Sequence, residues 1–324
     1  MKAAIVPAAG QPPVYGLFPQ PTARKGIEHI TVAASALSPL SKARATGAHY
    51  SSSSVYPSVA GVDGVGRTAD GRRVYFALPE PPSGAFAEYT LVRPDHTIPV
   101  PDALSDVTAA ALANPGMSAA AALLERAHLQ PGETVLVNGA TGSAGTLSVQ
   151  LAKFLGASHV IATGRNPESL KALLALGADT VIPFTIDADH PNGAADFEQA
   201  LSAEFARGVD VVLDYLWGDT ALGLIAAVVQ ASPEAYPVRF VQIGTSSGQP
   251  TIELPGAALR SSAIQLMGSG LKSVPFPRLL HSISRVFEAA AAGRVHIATQ
   301  AVPLSSIAEY WNAPGHPRIV FTIA

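Results

Sequence analysis

The residues best placed to do chemistry lie between Val135 and Arg165. An apolar strand, Val135-Leu136-Val137, runs into Gly139-Ala140-Thr141-Gly142-Ser143-Ala144-Gly145. A predicted helix over 146–155 and a second strand over 160–163 follow, ending at Gly164-Arg165. Glycine at 139, 142 and 145 lets the turn lie flat, lets backbone approach a phosphate closely, and lets the helix pack tightly on its strand. Leu147, Leu151 and Leu155 share one helix face, and the helix's N-terminal amides point at the turn, where an anion is favoured. The spacing is G-x-x-G-x-x-G, not the usual G-x-G-x-x-G, so the reading rests on context: a strand before, a helix closed by Gly156 after, and one βαβ unit overall. Gly139, Thr141, Gly142, Ser143, Ala144 and Gly145 are therefore expected to cradle a nucleotide diphosphate.

At the end of the second strand, a site that selects NAD places an acidic residue against the ribose 2′-hydroxyl. Here the chain has Thr163-Gly164-Arg165. A guanidinium offers forked donors to a phosphate, and hydrogen bonds to charged groups contribute about 1.5 to 3 kcal/mol. NADPH is the expected cofactor; the plainer alternative for Arg165 is a solvated loop side chain.

Composition bounds the rest. At 324 residues, 48% hydrophobic and 14% charged, the chain has the profile of a compact soluble protein with room for two cores. A formal net charge of −3 without a long basic run gives no footprint for nucleic acid or an anionic membrane. The short apolar N-terminus is no signal segment and no membrane-length apolar stretch is read, so a cytoplasmic location is expected. The absence of cysteine excludes a thiol nucleophile and cysteine-ligated zinc, and the nine histidines show no helical pair of the H-E-x-x-H kind; no metal is expected. Asp187-Ala188-Asp189-His190 could touch a cation, but it reads first as a solvated loop.

Residues 1–115 alternate short apolar runs, such as 74–78 and 86–92, with Gly, Pro and Ser clusters, the pattern of a β-rich domain. Beyond Met117 helix alternates with near-continuous apolar strand: helices over 118–127, 146–155 and 167–176, strands at 135–137, 160–163, 180–182, 211–213, 240–243 and 264–267. Asn166 caps the helix at Pro167 and Gly177 stops it. This pattern predicts an α/β fold with a doubly wound parallel (Rossmann) sheet. The tail, with one amphipathic helix near 279–292 and a strand at 319–323, is too short to fold alone.

With these residues in hand, the chain resembles the medium-chain dehydrogenase/reductase superfamily, in its zinc-free quinone oxidoreductase branch. The resemblance covers nearly the whole length. It is carried by Ala60-Gly61-Val62-Asp63-Gly64-Val65-Gly66, Gly84-Ala85-Phe86-Ala87-Glu88-Tyr89, the glycine turn, and residues 170–179, 209–214 and 240–244. It implies a Rossmann sheet over 114–268 inserted in a β-rich, GroES-like catalytic domain made of 1–113 and the returning segment 269–324. It also implies a homodimer through the last sheet strand, near Ile264 to Met267. Zinc-containing relatives have Cys near Ser38 and a His-Glu pair near Val62-Asp63, and this chain has neither. Without a Lewis acid, hydride transfer must rely on positioning and hydrogen-bond donors, which suits a quinone or a conjugated enone.

Carried over position by position, the resemblance makes Ser38 and Ser41 substrate contacts, where relatives have Asn and Asp. Tyr50 becomes a candidate proton donor and Lys42 a second cation. Asn114 and Ser118 would pass beside the nicotinamide, with Gly244 and Thr245 in the loop that closes over it. Ser169 stands where many relatives have a phosphate-binding Lys, and Phe184 where they have a Tyr, so Arg165 and Arg318 are the remaining phosphate candidates.

Four other readings stand beside this one. A zinc-free alkenal or enoyl reductase needs the same cofactor site, and a catalytically silent NADPH-binding sensor or structural protein would keep only the binding. Gly244-Thr245-Ser246-Ser247-Gly248 fits G-x-S-x-G, but the residues after it read as loop or strand, not the helix a nucleophile elbow requires. A short-chain reductase is disfavoured, because no Tyr here begins a Tyr-x-x-x-Lys motif.

Overall fold

The computed structural model describes residues 1–48, 52–315 and 317–323. Two compact units emerge, one from Met1–Pro115 with Ile283–Ala324, the other Gly116–Ser282. Both divisions fall inside helices, Asp106–Ala121 and Phe276–Ala291.

Unit Gly116–Ser282 is a six-stranded, all-parallel sheet. Its spatial order is Thr180–Pro183, His159–Gly164, Thr134–Asn138, Val211–Asp214, Pro237–Gln242, Ala263–Gly268. In chain order that is 3-2-1-4-5-6, so the connections change direction between Thr134–Asn138 and Val211–Asp214, the point where such sheets bind ligands beyond their carboxyl ends. Phe197, Leu201, Phe205, Leu224 and Val228 from two helices cover Leu136, Ile161 and Val212 of the strands, all essentially buried. The apolar runs are near-continuous because both sheet faces are covered.

In the other unit, a seven-stranded, mostly antiparallel sheet runs Thr299–Pro303, Arg318–Thr322, Glu28–Ala36, Asp63–Thr68, Arg73–Ala77, Thr97–Pro99, with Tyr89–Val92 paired to Glu28–Ala36. A three-stranded sheet, Val14–Leu17, Lys2–Val6, Ser58–Val59, accompanies it. The returning tail therefore supplies strands to the same sheet as the N-terminal residues. Gly66 is required inside that sheet: a Cβ there would lie 2.3 Å from the Thr31 carbonyl oxygen.

One sequence expectation is corrected. Asp106–Arg126 is long and apolar enough to cross a membrane by length and composition. It is an alanine-rich helix continued by a π-turn over Ala122–Arg126, and 67% of its most apolar stretch is buried inside the protein, as core helices are. The helix also begins at Asp106, well before Ser118, because Ser105 Oγ accepts the Thr108 amide at its start.

The β-rich core encloses a charge. Asp63 is 2% exposed, accepts the Tyr75 hydroxyl at 3.0 Å, and feels the buried Arg318 guanidinium. Burial outweighs both stabilising partners and pushes its pKa up to about 6. Between the unfolded value and about 6 the folded chain holds a proton that the unfolded chain has released, so stability falls as pH rises through that window. The wild type should lose on the order of 1 kcal/mol relative to Asp63→Asn between pH 5 and pH 7. Urea denaturation at the two pH values measures it, and a difference between the proteins that does not change with pH contradicts the assignment.

Candidate functional site

The glycine turn is held from below by polar residues at the carboxyl ends of three neighbouring strands. Asn138 and Asp214 end their strands, Thr163 is one residue from the end of its own, and the three lie side by side in register, fully buried. Asn138 Nδ2 donates to Asp214 Oδ1 at 2.8 Å and to Thr220 Oγ1 at 3.0 Å, and its Oδ1 accepts from Thr163 Oγ1 at 2.6 Å. Asp214 also accepts the backbone amides of Leu216 and Trp217. Burial raises the Asp214 pKa, against the pull of those amides and of Asn138. The Thr163 carbonyl receives the amides of Gly139 and Ala140, at 3.2 and 2.9 Å, so the same residue fixes the start of the turn.

The three glycines do different work. Gly139 has φ +83°, where a side chain is strained, and a Cβ would meet Leu216 at 2.9 Å. At Gly145 a Cβ would lie 2.4 Å from the Gly139 carbonyl oxygen, so its bareness lets the helix seat on the turn. Gly142 is exposed, with only the Gly139 oxygen within 4 Å of an added Cβ, at 3.8 Å. It is the N-cap of the helix Ser143–Phe154 and gives no side-chain cap. The amides of Ala144 and Gly145 have no acceptor among the described residues. Positive dipole end, unused amides and a bare approach at Gly142 fit a diphosphate.

Beside the turn, Gly164 is buried against Thr141: a Cβ would lie 3.1 Å from Thr141 Cγ2. Arg165 is exposed, and nothing among the described residues engages its guanidinium. Gly244 approaches the Tyr215 backbone so closely that a Cβ would be 2.9 Å from the Tyr215 oxygen, and Thr245 follows it, exposed. Tyr215 is tied by its hydroxyl to Ser148, at 2.7 Å, and to Ser118. Burial pushes its pKa up to about 12, so it is a neutral hydrogen-bonding strut. The loop 245–255 carries no helix, which removes the nucleophile elbow.

Other expected residues face elsewhere. The Thr163 side chain is inside the Asn138 network. Phe184 is a core residue, its ring 4.9 Å from that of Phe197. Arg318 is 4% exposed within the β-rich unit beside Asp63, which corrects its reading as a phosphate ligand. Ser38 caps the helix Pro39–Ala45 by accepting the Ser41 amide at 2.9 Å, and the two hydroxyls pair at 2.9 Å; both residues are buried. Lys42, on that helix, has its pKa lowered by burial. Asn114 is half-buried in the helix Asp106–Ala121. Tyr50 lies outside the described residues. Among the described residues, no group of three His, Asp or Glu side chains is placed to hold a metal ion.

Sequence reasoning missed the Asn138, Asp214 and Thr220 network. Its signal was present: 135–137, 160–162 and 211–213 are apolar runs that each end in one polar residue.

A 3-2-1-4-5-6 parallel sheet with a phosphate-shaped turn at its direction change defines a dinucleotide-binding protein. Residues 144–285 match the family model described as zinc-binding dehydrogenase. The chain is 26% identical to a probable NADPH-dependent quinone reductase, tdiC, of Emericella nidulans, over 96% of both chains. It is 32% identical to a 2-haloacrylate reductase of a Burkholderia species, over 53% of this chain and 52% of that one. The quinone oxidoreductase of Thermus thermophilus, solved also in complex with NADPH, superimposes with a TM-score of 0.80 at 25% identity, covering 100% of each chain. These matches support the medium-chain dehydrogenase/reductase superfamily, in its quinone reductase branch.

Gly142 and Gly145 separate binding from structure. Gly145→Ala should lower the melting temperature by several degrees, because a backbone oxygen must move. Gly142→Ala should melt like the wild type yet bind the dinucleotide at least ~10-fold more weakly, since its methyl enters the phosphate approach. Calorimetric melting and nucleotide titration of both variants check this; equal effects on both readouts contradict the division of labour.

Proposed function

We propose that this NADPH-dependent oxidoreductase works without zinc and delivers its hydride to a quinone or an activated double bond. Bound reduced nicotinamide supplies the hydride. The chain's own part is positioning: the Ala144 and Gly145 amides take the diphosphate, Arg165 takes the 2′-phosphate, and the Ser118, Tyr215 and Ser148 hydroxyls with Gly244 set the backbone of the neighbouring loops. The observation that carries the reading is the conjunction of the bare approach at Gly142 with an exposed, unengaged Arg165 one strand away.

Zinc independence is supported by the absence of cysteine from the whole sequence and by the lack of a three-residue His, Asp or Glu group among the described residues. The family match over 144–285 includes none of positions 38, 62 and 63, where the resemblance puts metal ligands. A chelator-dialysed sample should therefore turn over at the untreated rate, with no zinc by elemental analysis. Loss of activity on dialysis, restored by zinc, contradicts it.

The acceptor has two versions. A quinone is favoured by the similarity to the Emericella and Thermus proteins, and an alkenal or enoyl-type double bond by the similarity to the 2-haloacrylate reductase. A homodimer through the edge strand Ala263–Gly268, where Leu266 is 38% exposed, belongs to the same proposal. Absorbance of NADPH against a panel of quinones and enones separates the acceptors, and tight NADPH binding with no turnover of any of them identifies a silent binder instead. Arg165→Ala should raise the Michaelis constant for NADPH by about one to two orders of magnitude and leave that for NADH nearly unchanged. Equal effects on the two would remove Arg165 from phosphate recognition.

A further inference from the structure

The β-rich unit contains a small, open pocket lined by its own residues alone. Arg44, Ser41 and Ser58 are among its polar lining residues, and Val59, Val62 and Pro79 among its apolar ones. No acidic residue is among those that line it. Arg44 comes from the last turn of the helix Pro39–Ala45, whose entry is fixed by the Ser38 cap.

Arg44 is half-buried, and among the described residues no hydrogen bond or ion pair engages its guanidinium. Burial alone moves its pKa, downward, with no carboxylate to oppose it. Arginine stays charged at any pH the protein meets, so it bears the cost of desolvation without a counter-charge from the chain. The structural arginines differ: Arg73 reaches Asp106 at 2.7 Å and Arg239 reaches Glu133 at 2.6 Å. A planar fork of donors in a pocket lined also by hydroxyls and aliphatic side chains matches a carboxylate carried on an apolar body.

We propose that this pocket is a carboxylate subsite, in which Arg44 takes the acid group of an acceptor whose hydrocarbon part lies on Val59, Val62 and Pro79. The inference rests on the proposed function in one respect: it narrows the acceptor class to an acid, such as an unsaturated carboxylic acid. Ser41 joins the two, since it lines this pocket and stands where the family resemblance puts a substrate contact.

The test is calorimetric titration of hexanoate and of the uncharged hexanamide into the full-length protein, with Arg44→Gln and Arg44→Lys alongside and melting temperatures recorded for each. Hexanoate should bind the wild type more tightly than hexanamide does. Arg44→Gln should weaken hexanoate by about ten- to a hundredfold without changing hexanamide, and Arg44→Lys should retain part of the preference for the acid. Inorganic phosphate should compete only weakly, for want of the apolar contact. The inference is overturned if hexanoate does not bind the wild type, if Arg44→Gln binds it equally well, or if both probes weaken alike. Crotonate as an NADPH acceptor keeps the two readings apart: Arg44-dependent hexanoate binding with no turnover of crotonate, quinones or enones leaves the subsite standing and removes the oxidoreductase assignment of its occupant.

Discussion

Everything at the carboxyl edge of the parallel sheet depends on one buried amide. Asn138 uses its nitrogen on Asp214 and Thr220 and its oxygen on Thr163, and so locks the ends of three adjacent strands to the first turn of the helix Gly218–Ala231. Such a network is stiff because each member is desolvated, and losing one partner leaves the others buried and unpaired, at about 1 to 3 kcal/mol each. Thr163 then passes that stiffness to the glycine turn through its carbonyl. The phosphate cradle is thus positioned by side chains that never face it.

The fate of the arginines follows from the same logic. Two cations that hold the fold are answered from within: Arg239 by Glu133 and the Ala127 carbonyl, Arg73 by Asp106 and two carbonyls. Among the described residues nothing answers Arg165 or Arg44, and each stands where the backbone or a pocket leaves room for an anion. One sits at the end of the strand after the glycine turn, the other in the β-rich unit on the helix that begins at the Ser38 cap. These two arginines, one in each unit, are the cations that the proposals assign to the anionic cofactor and to an anionic acceptor.

How much of this was legible in the sequence can be traced residue by residue. The sheet and the turn were readable, because near-continuous apolar strands, a glycine every third residue and a stop at Gly156 are local patterns whose causes are steric. Side-chain direction was not. Thr163 and Arg165 are two residues apart, yet one is buried in the Asn138 network and the other is exposed, because the strand ends at Gly164 between them. Phe184 and Arg318 stood at positions named by resemblance and turned inward, one to Phe197 and one to Asp63. Ser38 and Ser41 are a helix cap three residues apart, a spacing visible in the sequence whose capping role was passed over in favour of a substrate contact. The Arg44 pocket had no sequence signal, since its walls come from segments far apart in the chain.

Amide hydrogen exchange with and without NADPH reads the central claim most directly, because it reports on the backbone donors themselves. Binding should slow exchange at Ala144 and Gly145 and in the segment around Gly164 and Arg165, while strands 134–138 and 211–214, already locked through Asn138, change little. Saturating NADPH that leaves residues 139–146 exchanging as in the free protein would contradict the account.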